Sequence, residues 1–535
     1  MHTPGSGPRS SPPSRAPKNA TIPAGVGWYF GRVARAWKGR HYPISTTASY
    51  LLMIRGVEQM VPRQWAAALV VGLLGVVSCT LNPATGRREL SLVSESQEIA
   101  MGSQGAQETL AAMPLVADPA AQSYLRDVAA RMVAVAERPT LPWTFHLLDD
   151  ASVNAFAYPG GYIFITRGIL THMNNEAELA GVLGHEIGHV TARHTASQIT
   201  KSQLAGLGMA VTTIVSPEVG AMLGATVGQG IGMLFLKFSR DHEYQADELG
   251  FRYITREGYD PRAMSTVFTM LQRQGAAGGG GRLPEWQSTH PDPANRVDRN
   301  DQRVATLAGV PDSMTLGRDR FLQHLNGMVF GEDPRQGYFE GERFNHPELR
   351  FRFAIPAGWK GSNQPASVIG VSPERDAIVA LALAKGSSPA AALREFLGQQ
   401  GIQAGATSGN PVNGHSAALG EFTAATEQGT VSGAVEFIHY DGRLYQLLGY
   451  TPLAKAAGHA ASFRQFFGSF ATLTDRVALN RQPDRIRVVR LPRGMTVEEF
   501  HRQYPSVIPV ERVALLNGFT PGQVLPRGTL AKQVR

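Results

Sequence analysis

Cysteine is nearly absent from this chain, whose 535 residues include only one, Cys79. A single cysteine cannot form an intrachain disulfide, so a disulfide-stapled fold is excluded. A basic patch is also missing, although the formal net charge is +8. Residues 1–79 hold nine Lys and Arg and one acidic residue, and setting these aside leaves 42 of each sign from residue 80 onward. This balance argues against a nucleic-acid partner.

Long hydrophobic runs are few, and the first lies at residues 60–79, MVPRQWAAALVVGLLGVVSC. A charge at Arg63, a short apolar core and small residues before Cys79 are typical of a signal peptide. The segment resembles a bacterial lipobox, which implies cleavage before Cys79 and a lipid on its sulfur that holds the protein at a membrane. The alternative is an uncleaved membrane helix that ends in a buried thiol. Because a signal should begin near the start of translation, we interpret residues 1–59 as a start assigned too early or a disordered leader.

A second uncharged run, Val219–Leu236, covers 18 residues. Its Gly and Ala content and Gln229 make it a marginal membrane span, so we expect a buried or interfacial helical hairpin that covers a cleft. The stretch Gln274–Gly281 is rich in glycine. Such a loop is either slack or lets the segment that follows it move.

Residues 185–189 read HEIGH. Histidines four apart on a helix project from one face, so His185 and His189 can each give a ring nitrogen to one Zn²⁺. Zinc lowers the pKa of a bound water toward about 7, and an adjacent carboxylate such as Glu186 can take its proton as it attacks a carbonyl. The motif is typical of zinc peptidases.

The residues around this motif predict two helices. The apolar positions of NNEAELAGVLGHEIGHVTARH follow a helical period, with Asn174 or Asn175 as N-cap. A second helix is expected from about Asp241 to Glu257, closed by Gly258. It carries Glu243, 54 positions beyond His189, as a third acidic ligand. Asp247, one turn later, could accept the other ring N–H of a ligating histidine and strengthen it as a ligand.

Plainer interpretations stay open for each of these residues. The two histidines of the motif could be hydrogen-bonded core residues, and Glu243 and Asp247 a solvated helix face. His194 falls outside the ligand spacing, so we expect a structural hydrogen-bonding residue. His242 is about 100° round the helix from its neighbour Glu243, so we expect it to face elsewhere.

Five segments carry a family resemblance: NPATGRRELSLVSESQEIAMG at 82–102, NAFAYPGGYIFITRGIL at 154–170, GHEIGHVTARH, EYQAD, and STHPDPANRV at 288–297. Over residues 80–300 the chain resembles the HtpX/BepA/CAAX-prenyl-protease family of gluzincin metallopeptidases. The resemblance implies one Zn²⁺ per chain, with His185, His189 and Glu243 as ligands. It also implies that Glu186 is the general base and that Asp247 supports a ligand.

The same resemblance includes His290 and Arg296. It suggests a catalytic role for His290, either on the open zinc position at rest or as a donor to the oxyanion formed on the attacked carbonyl. A hydrogen bond that merely fixes the loop is the alternative. For Arg296 we expect a loop-anchoring pair with a carboxylate rather than contact with substrate.

The run Gly161–Thr166 (GYIFIT) is rich in β-formers and resembles the family's active-site edge strand. An edge strand could hold a peptide by strand addition, with backbone hydrogen bonds that give affinity and little sequence selectivity. The alternative is an ordinary strand within a sheet.

The rest of the chain predicts a helical linker at 301–337 and two accessory domains. Residues 338–474 show strand-like alternation and two helices, Pro389–Gln400 and Ala457–Phe470, and PELRFRFAIPAGWK weakly resembles PsbP-like domains. Residues 485–535 predict strand, two helices and strand, and resemble a LysM module. This resemblance implies peptidoglycan as a partner, with a packing role as the alternative.

These features predict a multidomain protein: a mainly helical α+β gluzincin metalloprotease domain, an α+β middle domain and a small βααβ C-terminal module. We expect a zinc endopeptidase, anchored through Cys79 on the periplasmic side of a bacterial membrane. The resemblance implies unfolded or misassembled envelope proteins as substrates. The alternatives are an envelope-binding lipoprotein scaffold or chaperone with a latent zinc site, and a peptidoglycan amidase suggested by residues 485–535 alone.

Overall fold

The computed structural model describes residues 78–86, 88–204, 238–277, 286, 290, 293–307, 313–364, 366–426, 429–520 and 522–535. The predicted leader 1–59, nearly all of the signal segment 60–79 and the apolar run Val219–Leu236 lie outside these residues, as does the end of the Gly-rich loop. Within the described part, no helix is long and apolar enough to cross a membrane.

The part of the chain that holds the HEIGH motif, from Ser78 to Leu325, is mainly helical. Its elements are β1 Ser78–Leu81, β2 Arg88–Ser91, α1 Glu95–Ala112, α2 Pro119–Ala134, β3 Thr144–Leu148, β4 Ala155–Tyr158, β5 Tyr162–Thr166, α3 Arg167–His172, α4 Glu176–Thr191, α5 His194–Leu204, α6 Arg240–Arg256, α7 Arg262–Ala277, α8 Pro293–Thr306 and α9 Arg318–Leu325. The helix α4 carries the HEIGH motif and is buried along its whole length.

The beginning of α4 follows from its local sequence. The side chain of Asn175 accepts a hydrogen bond from the backbone N–H of Glu178, which confirms the predicted N-cap. Glycines then let α6 approach α4 closely. A Cβ on Gly184 would lie 3.1 Å from the Cα of Gly250, and one on Gly188 would lie 3.1 Å from the carbonyl oxygen of Ala246. The small residues of the motif therefore bring the two helices that carry the predicted ligands into contact.

The helix α6 begins and ends within one residue of its predicted bounds. Ser239 caps its N-terminus, and Gly258 follows the C-cap residue Glu257 with φ +81°. This left-handed conformation favours glycine and ends the helix.

A three-stranded sheet lies beside α4, in the order β3-β5-β4, with β3 parallel and β4 antiparallel to β5. The strand Tyr162–Thr166 is therefore central, and the expectation that Gly161–Thr166 forms an edge strand is wrong. Gly160 and Gly161, with φ +83° and +104°, turn the chain so that β4 folds back onto β5. The other side of β5 is occupied by β3, whose distant pairing the local sequence does not reveal.

The predicted boundary between residues 300 and 301 falls inside α8. Beyond it, α9 buries Phe321, Leu322 and Leu325 in the same hydrophobic core as α4. The predicted helical linker 301–337 therefore packs in part against the core around α4, through these side chains and through Met328 and Phe330.

The middle domain contains two antiparallel sheets. Its elements are β6 Tyr338–Glu340, β7 Arg343–His346, β8 Phe351–Ala354, β9 Lys360–Gln364, β10 Ser367–Val371, β11 Ile378–Ala384, α10 Pro389–Leu397, β12 Ile402–Ser408, β13 Ala417–Thr426, β14 Gly429–Tyr440, β15 Arg443–Pro452, α11 Ala456–Phe467 and β16 Ala471–Thr472. The strands form sheets in the orders β12-β13-β14-β15-β11-β10-β9 and β16-β8-β7-β6. Both predicted helices are present, each three residues shorter at its C-terminus, where Gly398 and Gly468 are the C-cap residues.

The C-terminal module follows a short helix, α12 Arg476–Leu479. Its elements are β17 Ile486–Arg490, β18 Met495–Thr496, α13 Val497–Gln503, α14 Val510–Asn517, β19 Val524–Leu525 and β20 Leu530–Val534. The strands β17 and β20 pair antiparallel, so the predicted order of strand, two helices and strand is present, with a small β18–β19 pair added. Four of its apolar side chains join the core around α4: Ile486, Leu516, Leu530 and Val534.

Candidate metal centre

Three side chains on two helices converge on one buried point. On α4, His185 and His189 project one turn apart, and on α6 Glu243 faces them. Nε2 of His185 lies 3.0 Å from Nε2 of His189, and the Glu243 carboxylate oxygens lie 3.4 Å from Nε2 of His189 and 3.6 Å from Nε2 of His185. All three residues are at most 3% exposed.

His290 completes a group of four. Its Nδ1 lies 3.0 Å from Oε1 of Glu243 and 3.3 Å from Nε2 of His185. The His290 ring stacks on the Trp286 ring with centroids 4.9 Å apart. The backbone N–H of His290 also donates to the carbonyl oxygen of Trp286. Potential ligand atoms of the two motif histidines, Glu243 and His290 all lie within 4.8 Å of one another.

These distances fit a metal ion. Zn–N bonds of about 2.0–2.1 Å in a tetrahedral site put two ligand atoms roughly 3.3 Å apart. The spacings above, 3.0–3.6 Å, fall around this value. Imidazole nitrogens with one carboxylate are also the donor set that zinc prefers in catalytic sites. The residues present therefore suit a zinc ion.

Glu186 lies beside the group without belonging to it. It is 1% exposed, and its Oε1 has no hydrogen-bond partner among the described residues. Nε2 of His290 lies 3.8 Å from that oxygen. Burial raises the pKa of the Glu186 carboxyl, which favours its acting as a proton acceptor and donor near neutral pH.

Asp247 and Arg296 support the group from behind. Oδ1 of Asp247 lies 2.9 Å from Nδ1 of His185, the nitrogen that faces away from the cluster. Arg296 donates to both oxygens of Asp247, at 2.6 and 2.7 Å, and its Nη1 lies 3.1 Å from Glu243. Burial would raise the pKa of Asp247, but the guanidinium and the hydrogen bond from His185 lower it. The carboxylate is therefore kept ionised as an acceptor.

Two further histidines lie next to the group. Nδ1 of His194 is 2.9 Å from Nδ1 of His189, and burial lowers the pKa of His194 to about 3. His242 stacks on His194 with centroids 4.4 Å apart, and it stays outside the four-residue group, as expected. The sequence reasoning did not identify Gln245, which bonds to His194, although it lies in the same HEYQAD run as Glu243.

Comparison with known proteins supports a peptidase relationship. Residues 119–304 match Peptidase family M48. The chain is 31% identical over 290 residues to the beta-barrel assembly-enhancing protease of Escherichia coli (strain K12), a match covering 51% of this chain and 59% of that protein. It is 36% identical over 157 residues to mitochondrial metalloendopeptidase OMA1 of Arabidopsis thaliana, covering 29% of this chain and 30% of that protein. The matches thus cover less than two thirds of the length of these relatives.

Among solved structures, cyanobacterial PsbP from Synechocystis sp. PCC 6803 matches 24% of this chain and 91% of that chain, with a TM-score of 0.21 and 14% identity. At this TM-score the likeness does not establish a shared fold. The predicted resemblance to metallopeptidases is confirmed over residues 119–304. The LysM resemblance of residues 485–535 stays a prediction.

Proposed function

We propose that this chain, whose residues 119–304 match Peptidase family M48, is a zinc-dependent endopeptidase. The observation that carries the proposal is the convergence of His185, His189 and Glu243 at ligand spacing beside Oε1 of Glu186, which has no hydrogen-bond partner among the residues that the structure describes. A purely structural zinc site is closed by four protein ligands and needs no free carboxylate oxygen next to it.

Each side chain then has a role in peptide hydrolysis. Bound zinc polarises a peptide carbonyl and makes water more acidic. Glu186 takes the proton of the attacking water at Oε1 and delivers it to the leaving amine, which its raised pKa favours. Asp247 accepts from Nδ1 of His185 and holds that ring in the ligating tautomer, while Arg296 keeps Asp247 charged.

His290 has two possible catalytic roles. Its Nδ1 lies at ligand spacing from Glu243 and His185, which supports a resting state in which His290 occupies the fourth position. In that role it must leave before substrate binds, so His290→Ala would increase hydrolysis. As an oxyanion donor, His290 would instead contribute to the transition state, and the same substitution would lower kcat.

Substrate binding by strand addition would use β4 rather than β5, because among the described strands β4 is an edge of its sheet, and it packs against α4. The bond from Thr166 N–H to Asn154 C=O marks the paired positions of this antiparallel ladder, so the backbone groups of Ala155 and Ala157 point to the open edge. Recognition through backbone groups selects extended polypeptide rather than a particular sequence.

We propose unfolded or misassembled envelope proteins as substrates. The strand edge supports unfolded polypeptide, and the name of the Escherichia coli relative, beta-barrel assembly-enhancing protease, supports envelope proteins. We further propose attachment through a lipid on Cys79 on the periplasmic side of the membrane, and contact of residues 485–535 with peptidoglycan. The lipobox-like segment supports the first and the LysM-like element order the second. No observation favours the scaffold or the amidase alternative.

Degradation of one envelope protein in two states tests this function. Full-length protein should cleave an unfolded outer-membrane β-barrel protein and leave its folded form intact. Cleavage should stop on adding a chelator and in Glu186→Gln, and should return when zinc replaces the chelated metal. Equal cleavage by wild type and Glu186→Gln would overturn the proposed mechanism, and cleavage of the folded form at the same rate would overturn the substrate class.

A further inference from the structure

His194 does not have the spacing of a metal ligand, but its side chain contacts the predicted ligand His189. The chain leaves α4 at Thr191 and begins α5 at His194, with Arg193 between them in the left-handed conformation, φ +58°. Residues other than glycine rarely adopt this backbone conformation, so the turn at Arg193 is an unusual local structure next to the site. It brings the ring of His194 against the ring of His189, with centroids 4.8 Å apart.

A chain of hydrogen bonds runs from His189 through His194 to Gln245. Nε2 of His189 faces the metal-binding group, and its Nδ1 lies 2.9 Å from Nδ1 of His194. At the other side of the ring, Nε2 of His194 lies 2.7 Å from Oε1 of Gln245. Gln245 is on α6, so this helix supports both ligating histidines, through Asp247 for His185 and through Gln245 for His189.

The positions of the protons follow from the acceptor at the end of this chain. An amide oxygen only accepts, so His194 donates from Nε2 to Gln245. A neutral imidazole has one N–H, which leaves Nδ1 of His194 as the acceptor. His189 must then donate from Nδ1, and the lone pair of its Nε2 remains directed at the cluster. The reverse tautomer of His189 would carry a proton on Nε2 and could not bind a metal.

The surroundings of His194 hold this arrangement in place. The ring is 2% exposed and stacks on His242 at an interplanar angle of 11°. The two ligating histidines therefore have different partners: His185 donates to a carboxylate that Arg296 keeps charged, and His189 donates to a neutral ring.

We propose that His194 and Gln245 are positioning residues, which fix His189 in the tautomer and orientation that bind the metal ion. This inference rests on the proposed zinc site and adds to it the support of its second histidine. Loss of a hydrogen-bonding partner of a ligating histidine typically weakens metal binding by about 10- to 100-fold.

Zinc affinity of the full chain tests the inference. Competition with a chromophoric chelator would compare wild type with His194→Leu, His194→Gln and Gln245→Leu. We expect His194→Leu to weaken zinc binding by about 10- to 100-fold. His194→Gln should recover most of the affinity, because its amide oxygen can accept from His189 and its NH₂ can donate to Gln245. Gln245→Leu should have a smaller effect than His194→Leu. His146→Leu, which removes an imidazole stacked on Phe164, is the matched control and should bind zinc as wild type does.

Thermal unfolding separates positioning from a merely structural role. A ligand that binds only the folded state raises Tm, so the rise on adding zinc reports its binding. In His194→Leu we expect this rise to shrink while Tm in excess chelator changes little. Three results would overturn the inference: unchanged zinc affinity in His194→Leu, equal weakening in His194→Leu and His194→Gln, or a lower Tm in chelator with an unchanged rise on adding zinc.

Different results would refute the peptidase function and the positioning role. Wild-type protein that binds zinc without hydrolysing any unfolded protein would remove the peptidase proposal, and weakened zinc binding in His194→Leu would still support positioning. Active wild type with His194→Leu equal to it in zinc affinity would remove the positioning role alone.

Discussion

Arg296 is the residue on which the charge balance of the site depends. It is fully buried and contacts the carboxylates of Asp247 and Glu243, which are also buried. Its guanidinium carbon lies 4.4 Å from the ring centroid of Phe268 and 4.7 Å from that of Trp286, so the cation is held among apolar rings. Without the Arg296 guanidinium, the buried carboxylates of Asp247 and Glu243 would lose this cation in a low-dielectric interior.

We therefore expect Arg296→Leu to lower the free energy of unfolding of the zinc-free protein by about 3–5 kcal/mol, the usual effect of breaking a buried ion pair. Arg296→Lys should cost less, because it keeps the charge and loses the two-pronged hydrogen bonding. Urea denaturation in excess chelator measures both. The exposed pair Arg443 and Asp441 supplies the control, Arg443→Leu, for which we expect little change. A zinc-free Arg296→Leu as stable as this control would contradict the account.

Sequence reasoning at this scale depended on spacing and on family resemblance. Spacing placed His185 with His189 on one helix and Glu243 with Asp247 on another, because a regular helix fixes which residues share a face. It could not include His290 or Arg296, which reach the site from a separate segment, and these came from resemblance alone. It missed Gln245, since the bond to His194 depends on a reversal at Arg193 that no residue pattern indicates.

The helix α4 depends on Glu176, its first residue, for its connection to the surrounding elements. The Glu176 carboxylate is buried and accepts hydrogen bonds from two tyrosines and two arginines: Tyr124 and Tyr259 at 2.6 Å, Arg131 at 2.7 Å and Arg320 at 2.8 Å. Burial alone would raise the pKa of Glu176, but these hydrogen bonds lower it to about 2 from the usual 4.5. The ionised carboxylate thus joins α2, α4, α9 and the segment after α6.

This pKa sets an expected pH dependence of stability. The folded protein holds the pKa of Glu176 below its unfolded value, so the stabilisation is complete above about pH 4.5 and is lost as the pH falls toward 2. Glu176→Gln should be less stable near neutral pH and should lose less stability over that acid range. Denaturation between pH 6 and 2.5 measures the difference, with exposed Glu395→Gln as control. The same acid-dependent loss in Glu176→Gln and wild type would sink this assignment.

The edge of β4 can be tested as the site of strand addition. Ala157 points its backbone N–H to the open edge, so Ala157→Pro removes one donor to an added peptide strand and leaves the ladder with β5 intact. We expect kcat/KM for an unfolded substrate to fall while zinc affinity stays unchanged. Phe156, whose backbone pairs with β5, gives the contrasting variant: Phe156→Pro should also destabilise the fold. An unaltered kcat/KM in Ala157→Pro would argue against strand addition at β4.

Helices and strands were predicted well where the signal is local. Caps and a glycine gave the start of α4 and both ends of α6 within one residue. The position of β5 in its sheet was not predictable, because it depends on pairing with β3, 18 residues earlier in the chain. The predicted boundary at residue 300 falls inside α8 because this helix is polar. A polar helix has the sequence of a linker, and only its packing partner shows that it belongs to the domain.

At the scale of the whole molecule, the middle domain is an insertion between two parts that share one core. The segments before and after the middle domain lie side by side. Phe330 N–H donates to Asp484 C=O, and Ile486 N–H donates to Met328 C=O. Residues 485–535 then pack into the core around α4. Lys532 extends this contact, since its buried Nζ donates to the carbonyl oxygens of Thr171 and Met173, just before α4 begins.

Two deletions test this organisation. Replacing residues 332–482 with a short Gly-Ser linker should leave a folded protein with wild-type zinc affinity, because the two ends already lie side by side and a short loop closes them at little cost. Deleting residues 485–535 removes fewer residues but exposes the core, so it should lower Tm and weaken zinc binding. Loss of zinc binding in the first variant, or its retention with unchanged Tm in the second, would contradict the shared core.

The most direct measurement of the central claim pairs metal content with hydrolysis in the same preparations. Wild-type protein should contain one zinc per chain and cleave an unfolded protein. Glu186→Gln should contain the same zinc and fail to cleave, because it lacks only the proton acceptor. His185→Ala should lose both zinc and cleavage. Zinc-free wild type that still cleaves, or Glu186→Gln that cleaves at the wild-type rate, would contradict the assignment of this site as a zinc peptidase centre.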